Sequence, residues 1–198
     1  MMLGEGYHDL PQGHLAALTT YLRRDLRMLP PPPRWPDEVG LTRLGPGESA
    51  RYRALFRAVG SEWLWFGRLR LDDTALAEII GHPDYLAFAL TGPSGDLGLL
   101  ELDCRDASEP ELAYFGLVAG AIGLGLGKML MAEAVHRAQS RGVGHLMVHT
   151  CAFDAPGALA FYIRSGFVPY RRSIETFRDP RLDGTLPREA AAHVPIIE

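Results

Sequence analysis

Apolar positions along the chain follow two rhythms, and their alternation predicts the elements. Val39–Leu44 (VGLTRL) reads as a short strand, and Glu48–Val59 places Tyr52, Leu55, Phe56 and Val59 at helical spacing. A tryptophan-rich stretch with Trp63, Trp65 and Phe66 follows, and Asp72–Ile80 is predicted as a second helix capped by Asp72 or Asp73. Tyr85–Leu90 and Leu97–Asp103 read as strands joined through the hairpin signal Gly92-Pro93-Ser94-Gly95-Asp96. The run from Glu111 to Val118 has the length and aromatic content of a buried strand, with Leu112, Ala113, Tyr114, Phe115, Leu117 and Val118 as its apolar residues. After a glycine-rich break, Leu126, Met129, Leu130, Ala134, Val135 and Ala138 share one helical face, leaving Lys128, Glu133, Arg137 and Gln139 on the other. A strand at His145–Thr150, a helix at Ala155–Ser165 capped by Asp154 and closed by Gly166, and a strand at Phe167–Phe177 complete the pattern. This order describes an α/β domain with a mixed sheet.

Residues 1–36 read as an extension ahead of a main domain spanning 37–198. Leu15, Leu18, Leu22 and Leu26 have helical spacing, yet the same segment can equally be a strand. Pro30–Pro33 forms a stiff spacer that ends any helix. Because the segment carries apolar residues, the expectation is an arm packed on its own domain or on a neighbouring subunit, the latter giving a homodimer.

Composition narrows the function classes. The net charge of −4 across 198 residues comes without a long Lys/Arg run, which argues against a nucleic-acid partner. No apolar stretch of about 18 residues is present, so no membrane span is expected. The first residues lack the basic-then-apolar order of a signal peptide, and a cytoplasmic protein is the expectation. Cys104 and Cys151 make neither a disulfide framework nor a zinc site, and His145 and His149 lack a third ligand, so no metal is expected.

The strand–glycine loop–helix unit Glu111–Lys128 (ELAYFGLVAGAIGLGLGK) has the character of a phosphate or pyrophosphate site. Side chains are absent where a ligand would approach, and free N–H groups and the helix dipole favour an anion. The alternative is a turn that only packs helix against strand. Spacing excludes two nucleotide motifs. A dinucleotide fingerprint started at Gly123 and Gly125 meets Lys128 where its third glycine belongs. A P-loop ending at Gly127-Lys128 has Ile122 for its first glycine and Met129 for its hydroxyl residue.

What the loop does resemble is the coenzyme A loop Q/R-x-x-G-x-G/A of the GNAT superfamily of N-acetyltransferases, reading Ile122-Gly123-Leu124-Gly125-Leu126-Gly127 with Ile122 in place of Gln or Arg. A second segment, Asp154 through Ala158, Phe161 and Tyr162 to Gly166-Phe167, is similar to the family's N-x-x-A-x-x-x-Y-x-x-x-G-F, with Asp154 replacing Asn. The resemblance covers about Val39 to Tyr170. It implies a mixed, mostly antiparallel sheet of six or seven strands with about four helices, and acetyl-CoA as cosubstrate.

The resemblance implies transfer of an acetyl group to a primary amine, on a small molecule or a protein, by direct attack. A lysine-like amine has a pKa of about 10.4, so a base must take its proton. Glu111 matches the catalytic glutamate of the histone-acetylating branch, with Glu101 and Asp103 as alternatives on the preceding strand. Tyr162 matches the residue that protonates the departing thiolate, and a backbone N–H at Leu117 or Val118 would polarise the thioester carbonyl. The coenzyme set is Leu117, Val118, Ile122–Lys128, Asp154, Ala158 and Phe161. Trp63, Trp65 and Phe66, with Glu101, Asp103 and Glu111, would suit a cationic acceptor. A non-catalytic acyl-CoA sensor of the same fold, and an interaction protein working through its N-terminal arm, are the alternatives.

Overall fold

The computed structural model describes residues 4–27 and 31–198. Pro30, the first residue of the expected proline spacer, lies outside the described residues. Among these residues seven strands form one sheet: β1 (His14–Asp25), β2 (Gly40–Arg43), β3 (Tyr85–Gly92), β4 (Gly95–Asp103), β5 (Glu111–Leu117), β6 (His145–Cys151) and β7 (Val168–Arg178). Their spatial order is β2-β3-β4-β5-β6-β1-β7, and every neighbouring pair is antiparallel except β5 with β6. Among the described residues four α-helices flank it: α1 (Ser49–Gly60), α2 (Asp73–Gly81), α3 (Leu126–Ser140) and α4 (Ala158–Arg164). The expected mixed, mostly antiparallel sheet is therefore present, with seven strands.

Each helix forms where an apolar stripe meets a face of the sheet. α1 buries Tyr52, Leu55, Phe56 and Val59 against Ala87, Ala89 and Leu99 of the sheet, together with Leu76 and Ile80 of α2. The α2 N-terminus is capped by Asp72, whose carboxylate accepts from the Ala75 amide at 2.8 Å. On the opposite face α3 buries Leu126, Leu130, Met131, Ala134, Val135 and Ala138 beside Leu100, Leu102, Leu146 and Val148. Met131 joins that buried face, and the expected Met129 packs against the same core partly buried.

Of the two readings left open for the N-terminal segment, the strand is the one present: His14–Asp25 packs on its own domain within the sheet, pairing with β6 on one side and β7 on the other. Of the four spaced leucines, Leu22 and, just past the strand, Leu26 enter the α3-side core, Leu15 packs against the cluster on the other side, and Leu18 is exposed. The C-terminal segment after β7 folds back and is locked by Arg181. This buried side chain pairs with Asp179 and donates to the carbonyls of Ala190, Ala191 and Val194. Leu186, Ala191 and Val194 then pack with Leu64 and Phe66 at one end of the tryptophan-rich stretch.

Candidate active site

The site arises where β5 and β6 part. They pair only at Glu111 with Met147, supported by the Met147 amide donating to the Pro110 carbonyl at 2.8 Å, and diverge beyond it. The V between them opens a cavity of about 540 Å³. This split explains why β5 is half-buried along most of its length, with only Leu112 fully inside, where sequence alone suggested a buried strand. The Val118 amide donates to the Leu97 carbonyl at 2.9 Å and is spent on the sheet, which corrects its expected role as a ligand donor. Alternation along the strand turns the Leu117 amide the other way, into the gap. Gly116 is required there, because a Cβ would lie 2.4 Å from Val59 and 3.3 Å from the Trp65 ring.

At the open end of the V, Gly123 and Gly125 adopt left-handed backbone (φ +87° and +80°), and Gly125 is the N-cap of α3. The turn leaves the five amides of Gly123–Gly127 without an acceptor among the described residues, and the next one, Lys128, donates to Gly125 at 3.2 Å. Among the described residues nothing lies within 4 Å of where a Cβ would stand on Gly120, Gly123 or Gly125. Ile122 and Leu124 are exposed, and Leu126 turns into the core. A concave run of free N–H groups at a helix N-terminus fits a pyrophosphate. A Cβ on Gly127 would stand 3.9 Å from Phe161, whose ring stacks on Phe115 at 5.7 Å, and Ala158 lines the cavity.

Tyr162 of α4 lines the same cavity, its buried ring wedged against Phe115, Phe161 and Phe167. Burial, with Asp154 nearby, pushes its hydroxyl well above the ordinary tyrosine range, so it stays protonated. Asp154 is not the cap of α4, which begins at Ala158 after an N-cap at Gly157. Instead its carboxylate closes the turn after β6, accepting from Thr150 Oγ1 (2.7 Å), the Cys151 amide (2.8 Å) and Trp65 Nε1 (3.1 Å). Pro156 and Gly157 delay the helix, and the carboxylate finds nearer donors behind it.

Glu111 and Glu101 have different fates. Glu111 faces the cavity, and its Oε1 lies 2.6 Å from Nδ1 of His149 on β6. That contact raises the imidazole pKa above its ordinary value against the opposing effect of burial. His149 also lines the cavity, and sequence reading gave it no role in proton transfer: the register that sets Glu111 beside β6 joins segments 38 positions apart in the chain. Glu101 is not among the cavity's lining residues. It is fully buried on the α1 side, accepting from Tyr52 at 2.5 Å and from Tyr85, with Arg68 Nε at 3.6 Å. Asp103 lines the cavity but is neutralised by a bidentate Arg105 (2.9 and 2.6 Å).

The acceptor-side wall also differs in composition. Trp65 is held by Asp154, and the aromatic cluster facing the cavity extends to Phe153 and Phe177, with Phe66 and Phe177 centroids 4.9 Å apart. Glu175 of β7 joins the lining and has no hydrogen-bond partner among the described residues. Nothing local in the sequence pointed to Glu175 or Phe177, because they reach the site only through the pairing of β7 with β1. Cys151 lines the cavity too, but burial and the nearby Asp154 push its thiol up to about 11, so it is a neutral thiol and no ready nucleophile.

A statistical model of the acetyltransferase (GNAT) family matches residues 46–167. A search of curated protein sequences returns no match. Among solved structures, the chain is similar to a GCN5-related N-acetyltransferase from Sphaerobacter thermophilus (TM-score 0.60, 16% identity, 83% of this chain and 53% of that one). It also resembles a GCN5-related N-acetyltransferase from Kribbella flavida (TM-score 0.53, 19% identity, 87% and 63%). A third is an aminoglycoside acetyltransferase from an uncultured soil metagenomic sample, in complex with sisomicin (TM-score 0.53, 15% identity, 65% and 88%). The chain thus spans 53% and 63% of the length of the first two.

Proposed function

The chain belongs to the GNAT acetyltransferase family, and from that premise we propose that it transfers an acetyl group from acetyl-CoA to a primary amine by direct attack. The observation that carries this reading is the row of acceptor-free amides at Gly123–Gly127, placed at the mouth of the β5/β6 split. Those amides, with Lys128 on the first turn of α3, would hold the coenzyme's pyrophosphate, and Ile122 would add only an apolar contact. Leu117, Ala158 and Phe161 would flank the slot. Acetyl-CoA supplies a thioester whose acyl carbon is open to attack.

The chain's own groups then divide the proton work. His149, which lines the cavity, takes the proton from the incoming ammonium at Nε2, with Glu111 holding the ring by Nδ1. Tyr162 donates a proton to the departing thiolate, and the Leu117 amide is the fixed donor for the carbonyl oxygen. The acceptor end is lined by Asp103, Glu111, Asp154 and Glu175 against Arg68, Arg105 and His149. Both guanidiniums are tied, Arg68 to Tyr85 and Glu101, Arg105 to Asp103, so Glu175 and the Phe66, Phe153 and Phe177 rings are left to receive a cationic acceptor. A polyamine-like or amino-sugar amine meets that description, and one structural neighbour is an aminoglycoside acetyltransferase.

Thermal unfolding tests the coenzyme site. At a hundred times Kd, coenzyme A should stabilise the protein by about 2.7 kcal/mol, a shift of roughly 5–10 °C for a chain of this size. Gly125→Val puts a β-branched side chain at φ +80° and should abolish the shift. An unchanged shift in that variant would place the coenzyme elsewhere. A panel of cationic, neutral and acidic amines then reads the acceptor class, with preference for cationic amines expected.

The base assignment has its own signature in pH. A raised imidazole pKa means that His149 stays protonated, and unable to accept a proton, to a higher pH than an ordinary histidine. Rate should therefore rise with pH through that value. In Glu111→Gln the limb of kcat/KM should move to lower pH, because the partner that favours the imidazolium is gone. In His149→Gln the limb should vanish, with kcat/KM down about 10²-fold. A limb that stays put in both variants would rule the pair out as the base. The same contact stabilises the fold below the ordinary histidine pKa of about 6.5, and that contribution is lost as pH rises through the raised value.

A further inference from the structure

Consecutive residues of the tryptophan-rich stretch are committed to different clusters. Leu64 is buried with Leu186, Ala190, Ala191 and Val194 of the segment after β7, whereas Trp65 packs on Phe56 of α1 and Tyr114 of β5. Phe66 returns to the C-terminal cluster and meets Phe177 at the cavity. The chain makes this split by a left-handed turn at Leu64 (φ +55°, ψ +37°). There the Leu64 amide donates to the Ser61 carbonyl at 3.3 Å and the Trp65 amide to that of Gly60 at 3.0 Å. A residue with a Cβ resists that backbone, so its surroundings must hold it.

What holds it is residues 179–194, a segment built of turns whose shape depends on Arg181. That guanidinium grips Asp179 at 2.9 and 2.7 Å and gathers the carbonyls of Ala190, Ala191 and Val194 at 3.1, 3.2 and 2.8 Å. Asp183 ties the segment to the wall from outside, pairing at 2.7 Å with Arg70, whose guanidinium lies 4.3 Å from the Phe66 centroid. Ala191 also has left-handed backbone (φ +49°), so two of the three non-glycine residues with positive φ among the described residues meet in this cluster. Strain that packing sustains in this way gathers at functional sites. Yet Leu186 and Val194 are not among the cavity's lining residues, and the whole segment lies outside the matched residues 46–167.

We propose that residues 179–194, stapled by Arg181, are a positioning element for the acceptor: by holding Leu64 in its left-handed turn they set Trp65 and Phe66 as the wall the amine meets. The proposal rests on the acceptor reading above. Leu186 and Val194 act through Leu64, and Arg181 acts through the carbonyls it gathers. Acceptor affinity is therefore their readout. A wall that must be ordered as the amine arrives weakens binding and leaves the chemical step alone.

Kinetics of the full chain with spermidine and sisomicin as cationic probes test this. Leu186→Ala should raise KM for the amine about tenfold, while kcat at saturating amine and Kd for coenzyme A stay within about twofold. Leu186→Met refills the volume and should restore KM. Trp65 gives a second signal that needs no turnover. Its indole Nε1–H donates to Asp154 at 3.1 Å and is one of three tryptophan indole resonances in a ¹H–¹⁵N spectrum. That resonance should shift in Leu186→Ala and stay in place in Leu186→Met. Thermal unfolding shows whether each variant is folded at the assay temperature. Should Leu186→Ala fail to fold, Val194→Ala, a smaller truncation in the same cluster, carries the same expectations. A folded variant with wild-type KM, or with an unmoved indole resonance, would overturn the proposal whatever its stability. Wild-type protein that acetylates neither probe would instead overturn the cationic-acceptor reading, and the indole resonance alone would then decide whether the segment sets the wall.

Discussion

Tyr162→Phe is expected to lower turnover about 10³-fold while coenzyme affinity stays within about twofold of wild type. The ring is buried, with Phe115, Phe161 and Phe167 centroids at 6.4, 5.8 and 6.0 Å, so phenylalanine preserves the packing that shapes the slot. Only the hydroxyl is removed. Burial holds that hydroxyl above its ordinary pKa, which keeps it protonated at neutral pH and able to give the proton a departing thiolate needs. An interaction made as charge develops lowers kcat and kcat/KM together when lost, and leaves ground-state binding alone. Steady-state kinetics beside coenzyme titration of the same preparation read both quantities. A variant with full turnover would remove Tyr162 from the reaction. A wild-type protein that binds coenzyme yet acetylates no amine at all would favour the acyl-CoA sensor instead.

What the sequence made legible was local. The apolar stripes of α1 and α3, the helix α2 with its Asp72 cap, the Gly92–Asp96 hairpin and the glycine-rich loop before α3 are each set by neighbours a few residues apart, and each stands where expected. The rest depends on pairings the chain cannot display. The leucines at 15, 18, 22 and 26 fit a helix by spacing, and only the two flanking strands make the segment β. Asp154 precedes a helix in the sequence, but the Thr150 hydroxyl, the Cys151 amide and the Trp65 indole take its carboxylate first. Val118 looked as available as Leu117 until β4 claimed its amide. Glu111 and Glu101 were equivalent as letters, since both are carboxylates on strands. Register gave one a histidine at a cavity and the other two tyrosines in a core.

Glu101→Gln should therefore destabilise the protein by about 3 kcal/mol, a fall in Tm of roughly 6–12 °C for a chain of this size, while the folded variant keeps its activity and its pH limb. Glu101 is fully buried, and burial raises its pKa while Arg68 and the hydroxyls of Tyr52 and Tyr85 oppose the rise. The carboxylate is tolerable only because those groups surround it. Arg68 depends on it in turn. Its Nη2 donates to Tyr85 at 2.7 Å, its guanidinium lies over the Tyr85 and Tyr114 rings, and its Nε is buried with no hydrogen-bond partner among the described residues. Glutamine keeps the shape and removes the charge, so the cost is that of leaving a largely buried guanidinium without its counter-charge. Arg68→Met should cost a similar amount for the reverse reason. In the double variant both ions are gone, and the loss should be well below the sum of the two single losses. Urea unfolding of the four proteins measures that coupling directly. Strict additivity would dissolve the pair as an energetic unit. A Glu101→Gln protein of wild-type stability with no turnover would return the carboxylate to the reaction as its base.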